Sequence, residues 1–501
     1  MSRLFVGVDI GSSATKGILV DESGQVLASS RREHAISSPR PGWAEMDAER
    51  DWWCSARDTI GRLLQQAQID RSRIAGMGIC GIGASFVPIG ERGEVLRPAI
   101  LYGIDSRAST IVEALRRDFD DRFLLNATGR LPSSQSVGPK LQWLRQHEPQ
   151  VWQRTRQVLS PTAFVTQRLC GASGLDYHTA LSFDPLLDAG RLEWNEGMCE
   201  RLIGQQSKLP QVLASGACVG TVHAQAALET GLPPGVPVAC GTADVVAEAI
   251  GAGVSEPGDT LVMYGSTLFM VERVASFQAV PPLWPSVFMA QDQPTLLAGT
   301  SNAGSLLAWF RREFASSDSQ FGELLLLASA IPPGADGLLC LPYFAGERAP
   351  VFDPLARGVF LGLTGRHTKA HMLRALIEGI CLSFRHLVQT FSASGNCPQR
   401  FLAGGGGIQI DLWAQTMSDV VQAPQQVPVH AHGAAFGAAY LGAQAAGIAP
   451  VGAPLPPAWG KGKRTVTPQA ARGSYDDLYA AYLESYELTR SLVHRLARPS
   501  V

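Results

Sequence analysis

A strand, a glycine turn and a second strand follow one another twice in this chain. In the first copy, β-prone apolar runs at residues 4–9 and 15–21 flank Gly11, and in the second, runs at 260–264 and 267–271 flank Gly265. Side-chain identity between the copies is low, but their spacing is similar, which predicts a duplicated architecture. At about 150 residues per domain, a chain of 501 residues holds two to four domains, so two large ones are the simplest case.

Charge and composition exclude several classes of protein. Lys and Arg number 42 against 44 Asp and Glu. The chain therefore lacks the excess positive charge that binding to nucleic-acid phosphates requires. The uncharged stretch between Asp419 and Lys461 is rich in Ala and Gly and broken by prolines, which favours a buried segment over a membrane span. The amino terminus lacks the apolar core of a secretory signal, and the nine scattered cysteines form no Cys-x-x-Cys. We therefore expect a cytoplasmic protein with reduced thiols and neither a disulfide framework nor a zinc site.

Residues 9–17, Asp-Ile-Gly-Ser-Ser-Ala-Thr-Lys-Gly, combine features suited to an anion. Such a turn exposes backbone N–H groups and hydroxyls, Lys16 can neutralise phosphate charge, and Asp9 can reach a magnesium ion through water. A plain β-hairpin with a capping aspartate explains the same residues, and the pattern alone does not decide between them. No Lys is followed by Ser or Thr, so a Walker A loop is excluded.

Two other patterns are weaker. Residues 76–81 satisfy the dinucleotide-binding fingerprint literally, but the segment after them is strand-like and contains Pro88, where a Rossmann unit requires a helix. The pairs His367 with His371 and His430 with His432 have no convincing third ligand nearby, so neither predicts a zinc site.

Segments in the same order along the chain resemble the motifs of one family. Residues 9–17 resemble the first phosphate motif of the FGGY carbohydrate kinases, which belong to the superfamily of actin and the heat-shock chaperones. The other likenesses are the tryptophan segment 43–47, the glycine-rich lead-in 240–244 to a catalytic aspartate, the second phosphate motif 264–267, the string 341–350 continuing to 358–363, and the adenosine-side glycines 405–407 with Trp413 and Gln415. Six ordered matches are far more specific than any one of them.

This resemblance implies an α/β fold of two ribonuclease-H-like domains around a central cleft, which we place at residues 1–243 and 244–501. It also implies ATP and Mg²⁺ as cofactors, with Asp9 as the water-mediated partner of the metal. The residues expected to hold the nucleotide are Asp9, Gly11, Ser12, Ser13, Thr15, Lys16, Gly265, Ser266, Thr267, Gly405, Gly406 and Gly407.

Asp244 is the expected catalytic base. It stands at the first turn of a probable helix, so a simple helix cap is the alternative interpretation. The helix dipole there favours the carboxylate, which predicts that Asp244 is ionised at neutral pH. In a loose phosphoryl transfer the base must first orient the hydroxyl of the acceptor.

Within the family the closest likeness is to the xylulokinases, and D-xylulose is the leading substrate. The sugar-binding residues expected are Gly81, Ile82, Gly83, Ala84, Asp105 and Asp244. Xylulokinases typically carry Gln-Met-His-Gly at 81–84, whereas this loop offers no hydrogen-bonding side chain, and the segment 102–107 is one residue longer than usual. Other substrates stay open, namely another ketose or polyol such as a 1-deoxy-pentulose, ribulose, a hexonate or glycerol. A non-sugar ATPase activity of the superfamily and a homodimeric state also stay open.

Overall fold

The computed structural model describes residues 2–428, 433–470 and 473–497. His430 and His432 lie outside the described residues. The chain divides into two compact units: the first comprises residues 1–255, 275–295 and 432–461, and the second comprises 256–274, 296–431 and 462–501.

The described residues form a mixture of strands and helices. The strands are β1 (Leu4–Ile10), β2 (Ala14–Asp21), β3 (Val26–Glu33), β4 (Glu45–Met46), β5 (Ile74–Gly81), β6 (Val87–Ile89), β7 (Ala99–Ile100), β8 (Gln157–Leu159), β9 (Leu175–Asp176), β10 (Leu187–Asp188), β11 (Glu193–Trp194), β12 (Val212–Leu213), β13 (Cys218–Thr221), β14 (Pro237–Ala239), β15 (Thr242–Ala243), β16 (Asp259–Tyr264), β17 (Leu268–Arg273), β18 (Trp284–Val287), β19 (Pro294–Gly299), β20 (Leu339–Leu341), β21 (Val359–Leu361), β22 (Arg400–Gly404), β23 (Gln425–Pro428) and β24 (Lys463–Val466). The α-helices are α1 (Ser55–Ala67), α2 (Ser109–Asp118), α3 (Asp121–Thr128), α4 (Val137–His147), α5 (Pro149–Arg154), α6 (Pro161–Cys170), α7 (Tyr177–Leu181), α8 (Glu196–Ile203), α9 (Ala224–Thr230), α10 (Asp244–Ala252), α11 (Gly304–Phe314), α12 (Asp318–Ser329), α13 (Lys369–Ala393), α14 (Asp411–Val421), α15 (Ala434–Ala445) and α16 (Asp476–Ala497). A π-helical turn, Ala48–Cys54, leads into α1, and the 3₁₀ turns are Arg71–Arg73, Gln206–Lys208, Ala335–Gly337 and Gly406–Gln409.

Both units are built on a mixed sheet with the same central arrangement. In the first unit β1 pairs antiparallel with β2 and parallel with β5, in the order β13-β14-β5-β1-β2-β3. In the second unit β16 pairs antiparallel with β17 and parallel with β22, which continues to β23 and β24. The duplicated architecture expected from the two glycine turns is confirmed.

Helix α15 belongs to the first unit although it lies late in the chain. It packs on β1 and β5 through small residues, and glycines on the strands let its backbone approach closely. A Cβ built at Gly78 would lie 1.9 Å from the Ala438 carbonyl oxygen, and one at Gly76 would lie 2.2 Å from that of Gly442. These contacts explain the literal dinucleotide fingerprint, because its glycines serve helix packing, and a loop followed by the strand β6 stands where a Rossmann helix would begin.

Helix α10 also lies in the first unit, so the expected boundary between residues 243 and 244 falls inside that unit. The reason is close packing: a Cβ at Gly437 of α15 would lie 1.9 Å from the Ala247 carbonyl oxygen of α10. Helices α10 and α15 therefore pack closely against each other within the first unit. None of the helices in the described ranges combines the length and the apolar character of a membrane span.

Candidate active site

The turn between β1 and β2 places one acidic and one basic side chain together. The Gly11 N–H donates to the Ala14 carbonyl at 3.0 Å, which closes the turn. Asp9 and Lys16 face each other across the strand pair, with Lys16 Nζ 3.8 Å from Asp9 Oδ2. Asp9 is nearly buried while half of the Lys16 side chain is exposed. The turn thus presents backbone N–H groups and a cation beside an enclosed carboxylate.

Asp9 has a second neighbour that the sequence motifs did not reveal. Cys80 lies beside it on the parallel strand β5, and its thiol donates to Asp9 Oδ1 at 3.7 Å. Burial raises the pKa of Asp9, while the Lys16 ammonium and the Cys80 thiol act in the opposite direction. The ion pair with Lys16 and the Cys80 thiol therefore reduce the free-energy cost of burying Asp9 in its ionised form.

Asp244 is the first residue of α10, and its Oδ1 accepts the N–H of Val245 at 2.8 Å. The surrounding protein removes hydration from the carboxylate, and the negative charge of Asp9 adds to this, so the pKa of Asp244 rises to about 7. These two effects outweigh the Val245 hydrogen bond and the Lys16 charge, which act to lower the pKa of Asp244. The pKa of Asp244 therefore lies near neutral pH and well above that of an ordinary aspartate, whereas the sequence predicts a group that is ionised there.

The loop at residues 81–84 adjoins strand β15, which ends directly before Asp244. Strand β15 pairs in parallel with the end of β5, with Ala243 opposite Gly81. A Cβ at Gly83 would lie 3.3 Å from the Cβ of Ala243, and the Ile82 N–H donates to the Ile10 carbonyl at 3.0 Å. The structure thus brings the apolar loop next to the residues that follow Asp9 and precede Asp244.

Asp105 is enclosed by protein partners. It is fully buried, with the Arg107 guanidinium 2.7 Å from Oδ2 and the Ala44 N–H donating to the same oxygen at 2.7 Å. The Arg107 guanidinium in turn lies 3.9 Å from the centre of the Trp43 ring. Both Asp105 oxygens accept hydrogen bonds from Arg107, so in this structure Asp105 fixes the segment around Trp43.

The second predicted phosphate turn lies on the first turn of helix α11. The Gly265 N–H donates to the Thr267 carbonyl at 3.1 Å, and the Gly304 N–H donates back to the Gly265 carbonyl at 3.0 Å. The Ser266 carbonyl accepts from the N–H of Ser305 at 3.0 Å, and the Ser266 residue is exposed. These backbone hydrogen bonds fix the turn against the start of α11 and leave Ser266 exposed.

The glycines at 405–407 pack against the strand that enters this turn. Gly405 has φ +83°, and a Cβ there would lie 2.6 Å from the Tyr264 carbonyl oxygen. Gly407 lies against Trp413, whose ring is 4.9 Å from that of Tyr264 in an edge-to-face arrangement. Gly406 borders open space. The second turn and the glycine-rich segment, predicted separately, thus meet at Tyr264.

Comparisons with known proteins agree with this arrangement. The N-terminal domain of the FGGY family of carbohydrate kinases matches residues 4–251, and its C-terminal domain matches residues 261–446. This chain belongs to the FGGY family of carbohydrate kinases. It is an ATP-dependent sugar kinase of two α/β domains, and membership decides against the non-sugar ATPase of the superfamily.

Relatives of this FGGY kinase include xylulose kinases of bacteria. The xylulose kinase of Bacillus subtilis is 31% identical over 449 residues, 89% of each chain, and that of Escherichia coli is 28% identical over 431 residues, 83% of this chain and 84% of the relative. The crystal structure of xylulose kinase from Rhodospirillum rubrum has a TM-score of 0.88 at 33% identity, covering 98% of this chain and all of the other.

Glu347 is a site candidate that we did not assign from the sequence, although it lies in the recognisable string 341–350. It is buried in the second unit of the kinase, and its Oε1 accepts the N–H groups of Ser301 and Arg348 at 2.5 and 2.7 Å. Burial raises its pKa to about 7. Asn302 bonds the same loop through the Gly346 carbonyl at 2.7 Å, so Glu347 and Asn302 tie the string to the segment before α11.

The raised pKa of Asp244 predicts a pH dependence of the kinase reaction. A base must be deprotonated to accept a proton, so kcat/KM should rise as pH increases through about 7 and level off about one unit above. With an ordinary aspartate pKa, the rate would already be constant at pH 6. Initial rates from pH 5.5 to 8.5 at saturating ATP measure this, and a flat profile would contradict it.

Proposed function

We propose that this kinase transfers the γ-phosphate of ATP to a hydroxyl of a ketopentose, converting D-xylulose to D-xylulose 5-phosphate. The observation that carries the proposal is the placement of Asp244, a half-buried residue whose carboxyl has a raised pKa, beside Asp9 and the loop at 81–84. The relatives in Bacillus subtilis and Rhodospirillum rubrum, both xylulose kinases, support the choice of sugar.

In this proposal Asp244 accepts the hydrogen bond of the attacking hydroxyl and orients it toward the γ-phosphate. Because the transition state is loose, the hydroxyl becomes acidic late. Asp244 takes its proton as the new O–P bond forms, while the bond between the γ-phosphorus and the β,γ-bridging oxygen breaks and ADP leaves with that electron pair. Hydration lost around Asp244 matches its pKa to neutral pH, which is where a general base is most effective.

Each of the two predicted turns is proposed as a phosphate-binding turn within its own unit. In the first unit, backbone N–H groups and hydroxyls at 11–15 bind phosphate oxygens and Lys16 neutralises part of their charge. In the second unit, residues 265–267 offer the same kinds of donor. The adenosine side is proposed to lie at the glycines 405–407, of which Gly406 borders open space while Gly405 and Gly407 pack against Tyr264 and Trp413.

The donor set also fits a magnesium ion. Asp9 and Asp244 are carboxylates whose mutual repulsion raises the pKa of Asp244, and a hard divalent cation relieves such repulsion. We propose Asp9 as the residue that holds Mg²⁺ through water. When bound, Mg²⁺ would neutralise part of the negative charge on the phosphates.

The test of the proposed function is an ADP-release screen with a coupled assay. Substrates are D-xylulose, D-ribulose, a hexonate and glycerol, with a reaction lacking sugar as the control for ATP hydrolysis. We expect the highest kcat/KM for D-xylulose. The rate of ADP release without sugar should be far below the rate with D-xylulose. A tenfold higher kcat/KM for another of these acceptors would overturn the choice of sugar.

The loop at 81–84 makes a further prediction about tolerance. A site that hydrogen-bonds a hydroxyl rejects analogues lacking it by a factor of about 10⁴ or more, whereas apolar contacts discriminate by about tenfold to a hundredfold. This loop carries only Gly, Ile and Ala side chains. We expect 1-deoxy-D-xylulose to be phosphorylated with a kcat/KM close to that of D-xylulose. A preference for D-xylulose of about a thousandfold would mean that another residue supplies the hydrogen bond.

A further inference from the structure

A buried carboxyl outside the predicted site is hydrogen-bonded to strand β15, which directly precedes Asp244. Thr242 lies two residues before Asp244 and is fully buried, and its Oγ1 donates to Asp176 Oδ2 at 2.7 Å. Asp176 ends strand β9 and begins helix α7, where the same oxygen accepts the Thr179 N–H at 3.4 Å. Asp176 therefore connects a separate strand and helix to the lead-in of Asp244.

Strand β15 needs such a connection because it is only two residues long. On one side it pairs with β5, with Thr242 opposite Cys80. The preceding residue, Gly241, has φ +81° and donates its N–H to the Ser215 carbonyl at 3.0 Å. A strand this short has few backbone hydrogen bonds, so a side-chain bond at Thr242 contributes much of what fixes the direction in which Asp244 leaves it.

The burial of the Asp176 carboxyl is energetically unfavourable. It is 1% exposed, and its Oδ1 is buried without a hydrogen-bond partner. Loss of hydration raises its pKa to about 6 despite the bonds from Thr179 and Thr242. A buried carboxyl with an unpaired oxygen lowers stability, and such groups call for an explanation other than stability.

We infer that Asp176 is a positioning residue, which fixes strand β15 through Thr242 and thereby sets the orientation of Asp244 toward the acceptor hydroxyl. The inference rests on the proposed role of Asp244. Asp176 does not touch the reacting groups in this scheme. Its effect is on geometry, because misplacing a catalytic group by a fraction of an ångström is enough to slow a reaction.

The test compares two substitutions at Thr242. Thr242→Val removes the hydroxyl and keeps the shape, whereas Thr242→Ser keeps the hydroxyl. We expect Thr242→Val to lower kcat about tenfold with the Kd for ATP unchanged, and Thr242→Ser to stay within about twofold of the unmodified enzyme. A normal kcat for Thr242→Val would overturn the inference.

A matched control separates positioning from loss of stability. Ser136 Oγ donates to Asp184 Oδ2 at 2.5 Å, which is the same kind of buried bond elsewhere in the first unit. We expect Ser136→Ala to lower the melting temperature as Thr242→Val does and to leave kcat within twofold. An equal loss of kcat in Ser136→Ala would show that the effect at Thr242 is a general consequence of destabilisation.

Asp176→Asn changes the acceptor of the same hydrogen bond. It also provides a test if Thr242→Val does not fold. Its amide oxygen can still accept from Thr242, so we expect kcat to stay within about threefold. A tenfold loss would show that the charge is needed and would overturn positioning through the hydrogen bond. If Asp244→Asn itself keeps a normal kcat, the proposed function fails first, whereas a slow Asp244→Asn beside a normal Thr242→Val refutes the present inference alone.

Discussion

Replacing Asp244 by Asn is expected to lower kcat about 100-fold or more while ATP binding is kept. The amide has nearly the shape of the carboxyl but accepts no proton, and removal of a general base typically costs two to four orders of magnitude. Asp244 is also where burial and Asp9 raise the pKa to about 7. The measurements are kcat by ADP release and the Kd for ATP by calorimetry. Turnover near that of the unmodified enzyme would exclude Asp244 as the base.

Asp120→Asn is the matched control for this substitution. Asp120 also stands at a helix start, where its carboxylate accepts the Arg122 N–H at 3.0 Å, but it is exposed. Asn is an equally good residue at such a cap. We therefore expect Asp120→Asn to leave kcat within twofold, and a large loss there would show that the Asp244 result is not specific.

The same Asp244→Asn variant should be more stable than the unmodified protein above neutral pH. Because the folded-state pKa of about 7 lies above the ordinary value of 3.8, the folded protein holds more protons between those values. Stability therefore falls as pH rises through this window and stays low above it. The amide removes that dependence, so the melting temperature at pH 8 should rise by a few degrees.

Gly78→Ala is expected to destabilise the protein severely. The new methyl group would lie 1.9 Å from the Ala438 carbonyl oxygen and 2.9 Å from the Gly442 nitrogen, both of them backbone atoms of α15. Since a backbone cannot rotate away as a side chain can, the whole helix must move off the sheet, at a cost of about 3 kcal/mol or more. Chemical denaturation measures the loss as a lower midpoint.

Gly322→Ala provides the control for a methyl group added to a glycine. Gly322 lies inside α12, where a Cβ would have no neighbour within 4 Å. Ala has the higher helix propensity, by about 1 kcal/mol in an exposed helix, so this variant should be as stable as the unmodified protein or more so. Equal midpoints for the two variants would contradict the packing role of Gly78.

The sequence alone was sufficient for the family and for the repeated unit of the fold. The glycine turns at Gly11 and Gly265 predict both pairs of antiparallel strands, because strand periodicity and turn residues are local properties of the chain. The ordered motifs likewise predicted an FGGY kinase, which the two family domains confirm. Local patterns and short motifs are readable because each depends on a few neighbouring residues.

What only the tertiary structure decided concerns residues distant in sequence. It brought α15 back onto β1 and β5, joined Asp176 to Thr242 across 66 residues, and enclosed Asp105 with Arg107. It also raised the pKa of Asp244 to about 7, because the pKa depends on burial and on the charge of Asp9, which is 235 positions away in the chain. Hydration and charge act through space, so no local pattern encodes them.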